Sequence, residues 1–555
     1  MVMMKRPSAW PLMALGLVMA LLHLLKCPNV AAMDPVQELE WQVEYMTVDT
    51  LGVEQRVIGI NGQFPGPQLQ TTTNTIISLN VHNGLDEPFL LTWNGIQQRK
   101  NPWQDGVLGT NCPILPGQSW TYKFRAKDQI GSFSYFPSTN LHRTAGGFGS
   151  IRVDPRSTIA SPFSPPDDDF AVLIGDWYQA DHKVLQAMLD NGSTLPAPDA
   201  VLINGRLGAT FTVEKGKTYR FRISNIGSSQ TLNFRIEGHQ LLLVETEGSY
   251  VESTYHDSLD VHLGQSYSVL VTMDQNDRDY YVVASTRFAS PVLNGIGVLH
   301  YADSTSAVSG DLPPAPADPD FSLNQARSIT WNLTTNAARP NPQGSYHYGN
   351  ITITNSVKFS NSAPTLSGKQ RFAINNVSHF VPDTPLKLAD YYHIPNVFTS
   401  VPLHLTQEPT LAVSVLEGPF RAFVEVIFQN DEPTIQSWHT DGYSFWVVGF
   451  GSGEWNETAR LTYNLRNAVS RSTTQVYPSA WTAVLMSLDN PGLWNIRSAE
   501  VQRQYLGQEL YLRVVTPPGV SWKRREHAPP VNLLLCGQAK TLQVNAASPS
   551  PGEAP

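Results

Sequence analysis

Proline and glycine interrupt this chain 41 and 39 times in 555 residues, which leaves little room for long helices. Between the interruptions lie short runs of β-branched and aromatic residues. Thr75 to Asn83, Trp120 to Arg125, Phe170 to Tyr178 and Tyr267 to Thr272 all follow this pattern. In the middle of the chain only His182 to Asp190, ahead of Asn191-Gly192, has convincing helical character. The pattern predicts an all-β protein of stacked sandwiches. The chain is too long for one hydrophobic core, so several domains are expected.

The breaks divide the chain as follows. A first domain is expected over residues 33–154, closed by Pro155 and by the Pro- and Asp-rich stretch 162–169. A second covers 160–303. A Pro-rich linker, 304–324, includes Leu312-Pro313-Pro314-Ala315-Pro316 and reads as extended chain. A third domain covers 325–540, and the Ser-Pro tail 541–555 reads as disordered.

Residues 1–32 read as a secretory signal peptide. Lys5 and Arg6 precede an apolar run from Trp10 to Leu25, too short to span a bilayer, and Ala31-Ala32 follow as a cleavage site. The formal net charge is −9, and it becomes more negative when Lys5, Arg6 and Lys26 leave with the leader. An acidic secreted chain is a poor partner for nucleic acid or anionic membranes. No hydrophobic C-terminal stretch is present for glycolipid anchoring, so no membrane anchor is expected. Cys27 leaves with the leader, and Cys112 and Cys536 remain as either an oxidised pair or two separate buried thiols. Asn191, Asn332, Asn350, Asn376 and Asn456 begin N-glycosylation sequons, as a secreted chain would use.

Four stretches carry the functional signal. The first is Gln436-Ser437-Trp438-His439-Thr440-Asp441-Gly442-Tyr443-Ser444-Phe445, running into an apolar strand. The others are Thr92-Trp93-Asn94-Gly95 with Asp105-Gly106 downstream, Tyr135-Phe136-Pro137-Ser138 followed by Arg143, and Asn490-Pro491-Gly492-Leu493-Trp494 leading to Arg497-Ser498-Ala499. Their frames resemble the copper-binding motifs of multicopper oxidases, ascorbate oxidases above all. The resemblance spans residues 35–537 and is nearest to the plant Skewed-type proteins, also called pollen-specific L-ascorbate oxidase homologues, which share the Gln-Ser-Trp-His-x-Asp-Gly-Tyr-Ser-Phe reading. It implies three cupredoxin-like Greek-key β-sandwich domains in tandem, and a bond between Cys112 and Cys536.

The resemblance also places the lost ligands. Thr92, Asn94, Phe136, Ser138, Asp441, Arg497 and Ala499 stand where seven imidazoles of the trinuclear cluster would be. Gln436, Ser498 and Arg503 replace the blue-copper set, with Gln508 near the axial position. Without a thiolate at Ser498 no blue-copper centre forms, and the two arginines repel cations. His439 alone remains, and a lone imidazole on a strand is more often a hydrogen-bonded core residue than a ligand. No other histidine, His142 included, shows ligand spacing. No metal cofactor is therefore expected, and Asp441 is expected to pair with Arg497 in the refilled cavity.

Two function classes follow. One is a catalytically silent glycoprotein of the plant cell wall, acting in directional cell expansion or pollen tube growth by binding a wall polysaccharide or protein. The other is a copper-dependent oxidoreductase acting on ascorbate or phenols.

Overall fold

The computed structural model describes residues 35–157, 161–332, 352–399 and 408–541. The leader 1–32, the sequon at Asn350 and the tail beyond 541 lie outside them.

The short runs separated by turns form strands, and the strands pair into three sandwiches of two sheets each. In the first, a four-stranded sheet built on Val36–Asp49 and Glu54–Ile60 faces another that holds Leu91–Asn94 and Gly131–Pro137. In the second, a six-stranded sheet centred on Asp168–Trp177 and Thr218–Asn225 packs on a five-stranded one. In the third, an eight-stranded sheet holds Phe423–Asn430 and Phe445–Ser452, and a five-stranded sheet holds Gln436–Thr440 beside Gly492–Ser498. The fold is all-β and cupredoxin-like. Its strands bury Trp93, Trp438 and Trp494 completely, and the short turn Pro102–Gln104 buries Trp103. Aromatic burial on this scale supplies much of the apolar area that offsets chain entropy.

The expected helix forms over His182–Asp190, where the Asp181 carboxylate caps it by accepting from the Lys183 N–H. A helix also forms over Pro319–Ser328, where the chain was expected to be extended to 324. Asp318 caps it and Pro319 sits in its first turn, a start signal that the Pro-rich composition upstream hid.

Two contacts join the first sandwich to the third. Cys112 and Cys536 form a disulfide, Cα to Cα 5.8 Å, across a sequence separation of 424 residues. Arg99 donates twice to the Asp489 carboxylate, at 2.7 and 3.1 Å. Among the sequons, Asn191 and Asn456 are exposed while Asn332 and Asn376 are half-buried. No helix of the described residues is long and apolar enough to cross a membrane.

Candidate functional site

The predicted site residues converge because their strands are neighbours in register. Thr92 lies opposite Phe136 across the Leu91–Asn94 and Gly131–Pro137 pair. His439 lies opposite Arg497 on one side and Thr473 on the other. Asp441, two residues beyond His439, returns to the same face. Gly442 makes the turn that follows at φ +75°, with Trp494 packed so closely that an added Cβ would lie 2.2 Å from its ring.

The result is a buried polar well. Asp441 and Arg497 form an ion pair, and both are nearly inaccessible to solvent. Asp441 Oδ1 also meets His439 Nε2 at 2.9 Å, while His439 Nδ1 meets Thr473 Oγ1 at 2.7 Å. Arg497 donates further to Asn495 Oδ1 at 3.0 Å. The expected pairing of Asp441 with Arg497 is therefore present, and the surviving histidine is engaged at both ring nitrogens.

The charges balance within the well. Burial works against the Asp441 carboxylate, but Arg497 and the His439 hydrogen bond outweigh it and hold its pKa down at about 2. Burial and the Asp441 charge push Asp105 well above the usual carboxylate range. Burial, with Arg497 nearby, also lowers His439 and keeps it uncharged.

The other lost positions are likewise occupied by protein contacts. Asn94 Nδ2 donates to the Gly264 carbonyl at 3.0 Å, and Ser138 Oγ to the Gly106 carbonyl at 2.5 Å. The Phe136 ring carries the Arg143 guanidinium 4.0 Å from its centroid, a cation–π contact. Arg143 reaches the Ile226 and Ala499 carbonyls as well, at 3.1 and 3.3 Å, so one side chain touches all three sandwiches. Thr92 Oγ1, Asp105 Oδ2 and Arg497 Nη2 have no hydrogen-bond partner.

Where a blue copper would sit, a hydrogen-bonded chain runs instead. Gln508 Nε2 donates to Gln436 Oε1 at 2.7 Å, and Arg503 Nη1 donates to Gln508 Oε1 at 3.1 Å. Arg503 is held by Glu432 at 2.5 Å and Glu500 at 3.0 Å, and Ser498 Oγ accepts from the Glu500 N–H at 3.2 Å. This donor set does not fit copper. It offers amides, a hydroxyl and a guanidinium in place of imidazoles and a thiolate.

Beside the well opens a pocket of about 310 Å³, lined by Ser138, Lys369, Arg371, His379, Glu509 and Tyr511 among others. Glu509 pairs in register with Arg497, so pocket and well share a wall. Sequence reading placed Ser138 and Arg497 but not this pocket, whose lining comes from segments far apart in the chain.

Sequence reading also missed a cluster in the first two sandwiches, where Glu87, His142 and His182 bring ligand-type atoms within 4.8 Å of one another. The signal was faint: His142 and His182 are separated by 40 positions, and only the fold brings them together.

Cupredoxin sandwiches in tandem, with four motif frames meeting at one buried well, define the class. The chain belongs to the multicopper oxidase family, whose domain descriptions match residues 42–158, 168–304 and 383–520. Within it the chain falls in a plant branch. It is 49% identical over 541 residues to an L-ascorbate oxidase homolog of Brassica napus, covering 94% of this chain and 97% of that one. It is 50% identical to the monocopper oxidase-like protein SKU5 of Arabidopsis thaliana, covering 92% and 91%. An L-ascorbate oxidase of Cucurbita pepo var. melopepo is 31% identical, covering 93% and 100%. Among solved structures the multicopper oxidase Fet3p superposes with a TM-score of 0.76 at 18% identity, covering 92% and 95%, a likeness of fold.

Proposed function

We propose that this chain is a secreted cell-wall glycoprotein of the multicopper oxidase family that has no oxidase activity and acts by binding. The Asp441–Arg497 ion pair carries the reading, because it fills positions that cluster imidazoles would need and makes them self-neutral. A four-electron oxidase needs every copper in place, and no arrangement of these donors supplies a thiolate-bound electron acceptor. Its leader and sequons support secretion, and its resemblance to the Skewed-type branch supports a role in directional cell expansion or pollen tube growth. The pocket beside the well, mixed in charge and walled by all three sandwiches, is the proposed binding site for a wall polysaccharide or protein.

Oxygen uptake by the secreted protein with ascorbate and with phenols tests the first half. Uptake equal to buffer is expected, whereas turnover that rises with added copper restores the oxidoreductase reading. Capture from wall extract, repeated with Arg371→Glu bait, tests the second. The expected result is a captured component that the substituted bait fails to hold.

A further inference from the structure

We infer that Glu87, His142 and His182 form a binding site for one divalent ion of the zinc type, clasping the first sandwich to the second. Glu87 lies just beyond the strand Ile76–Asn83, His142 lies in the short turn His142–Ala145 of the first sandwich, and His182 opens the helix His182–Asp190 of the second. His182 Nε2 is 2.9 Å from Glu87 Oε1, and His142 Nε2 is 3.4 Å from Glu87 Oε2. Both imidazoles are buried, the side chains 0% and 2% exposed, while Glu87 at 16% keeps an edge toward solvent.

The orientation of the rings makes the case. His142 Nδ1 meets Thr139 Oγ1 at 2.9 Å, so its other nitrogen, Nε2, is the one that faces Glu87, and that Nε2 makes no hydrogen bond. His182 turns its Nδ1 toward Asp181 Oδ1, 3.5 Å away. A ligating histidine characteristically offers one nitrogen to the metal while the other is oriented by an oxygen partner. Two imidazoles and a carboxylate at these separations suit a tetrahedral ion at roughly 2.0–2.2 Å from each donor. Tyr45 Oη donates to Glu87 Oε1 at 2.8 Å, the oxygen that also meets His182, and so helps fix the carboxylate. Lys183 Nζ, 3.1 Å from the same oxygen, competes for it and would swing to Asp86, which it already meets at 2.9 Å. None of these residues belongs to a copper motif, so the site stands or falls independently of oxidase activity.

Chelator-treated, full-length secreted protein titrated with ZnCl₂ tests the proposal. One zinc per chain and a raised melting temperature are expected, together with the visible band of a low-symmetry site when Co²⁺ is used instead. His142→Asn and His182→Asn should each weaken zinc by about 100-fold or more and remove the cobalt band. Their metal-free melting temperatures, compared with the metal-free parent, separate ligand loss from unfolding. Absence of stoichiometric zinc in the parent, or its retention in both variants, overturns the site and leaves the His–Glu contacts alone as the clasp.

Discussion

At the scale of single residues, Asp441 and Arg497 stabilise the well only as a pair. Replacing one leaves the other buried and uncompensated, so Asp441→Asn or Arg497→Met should cost about 3–5 kcal/mol, while the double substitution should recover most of it. Urea denaturation of the three variants measures this. The pairing was legible in the sequence because alternate residues of a strand share a face and both positions belong to motif frames. The cluster at Glu87 was not, since nothing in the spacing of residues 87, 142 and 182 reports that two domains bring them together. A second residue, His262, gives the molecule a pH dependence. Burial, with Arg471 and Arg287 adding repulsion, lowers it to about 3, and its nitrogens meet Thr231 and Ser322 at 3.1 and 3.3 Å. The unfolded chain therefore binds a proton that the fold refuses. Stability is full above about pH 6.5 and falls on acidification toward pH 3, by about 1.4 kcal/mol per pH unit for this histidine. His262→Gln should lose about 2 kcal/mol less than the parent between pH 7 and pH 5, read from urea midpoints.

At the scale of elements, the strand pairing is what turns lost ligands into contacts, and the turn at Gly442 sets where Asp441 ends up. Gly442→Ala forces a Cβ against the Trp494 ring at a positive φ, so a loss of several kcal/mol is expected in thermal unfolding. The strands were legible from β-branched runs between turns, and the helix His182–Asp190 from its polar start and Asn-Gly stop. The helix Pro319–Ser328 was not, because its capping aspartate stands at the end of a stretch whose prolines argue for extended chain. Cys112 and Cys536 join elements at opposite ends of the sequence. In the chain-entropy view a loop this long stabilises by about 6 kcal/mol. Peptide mapping without reduction should find the two linked, and Cys112→Ser with Cys536→Ser should lower the urea midpoint accordingly.

At the scale of the whole molecule, the family fold is kept while the residues at the motif positions are engaged with one another. Arg143 touches all three sandwiches and Asn94 joins the first to the second, so the well works as a polar keystone between them. That part of the site was legible from motif frames alone; the pocket beside it was not, because its walls come from three domains. The central claim is that these positions no longer hold copper for electron transfer. The most direct measurement is copper content and visible absorbance after chelation, dialysis against Cu²⁺ and removal of the excess. The expected result is a protein without an intense blue band and with at most one copper per chain, lost on His182→Asn and therefore held at the Glu87 cluster. Three or more tightly bound coppers with an intense blue thiolate-type band would contradict it.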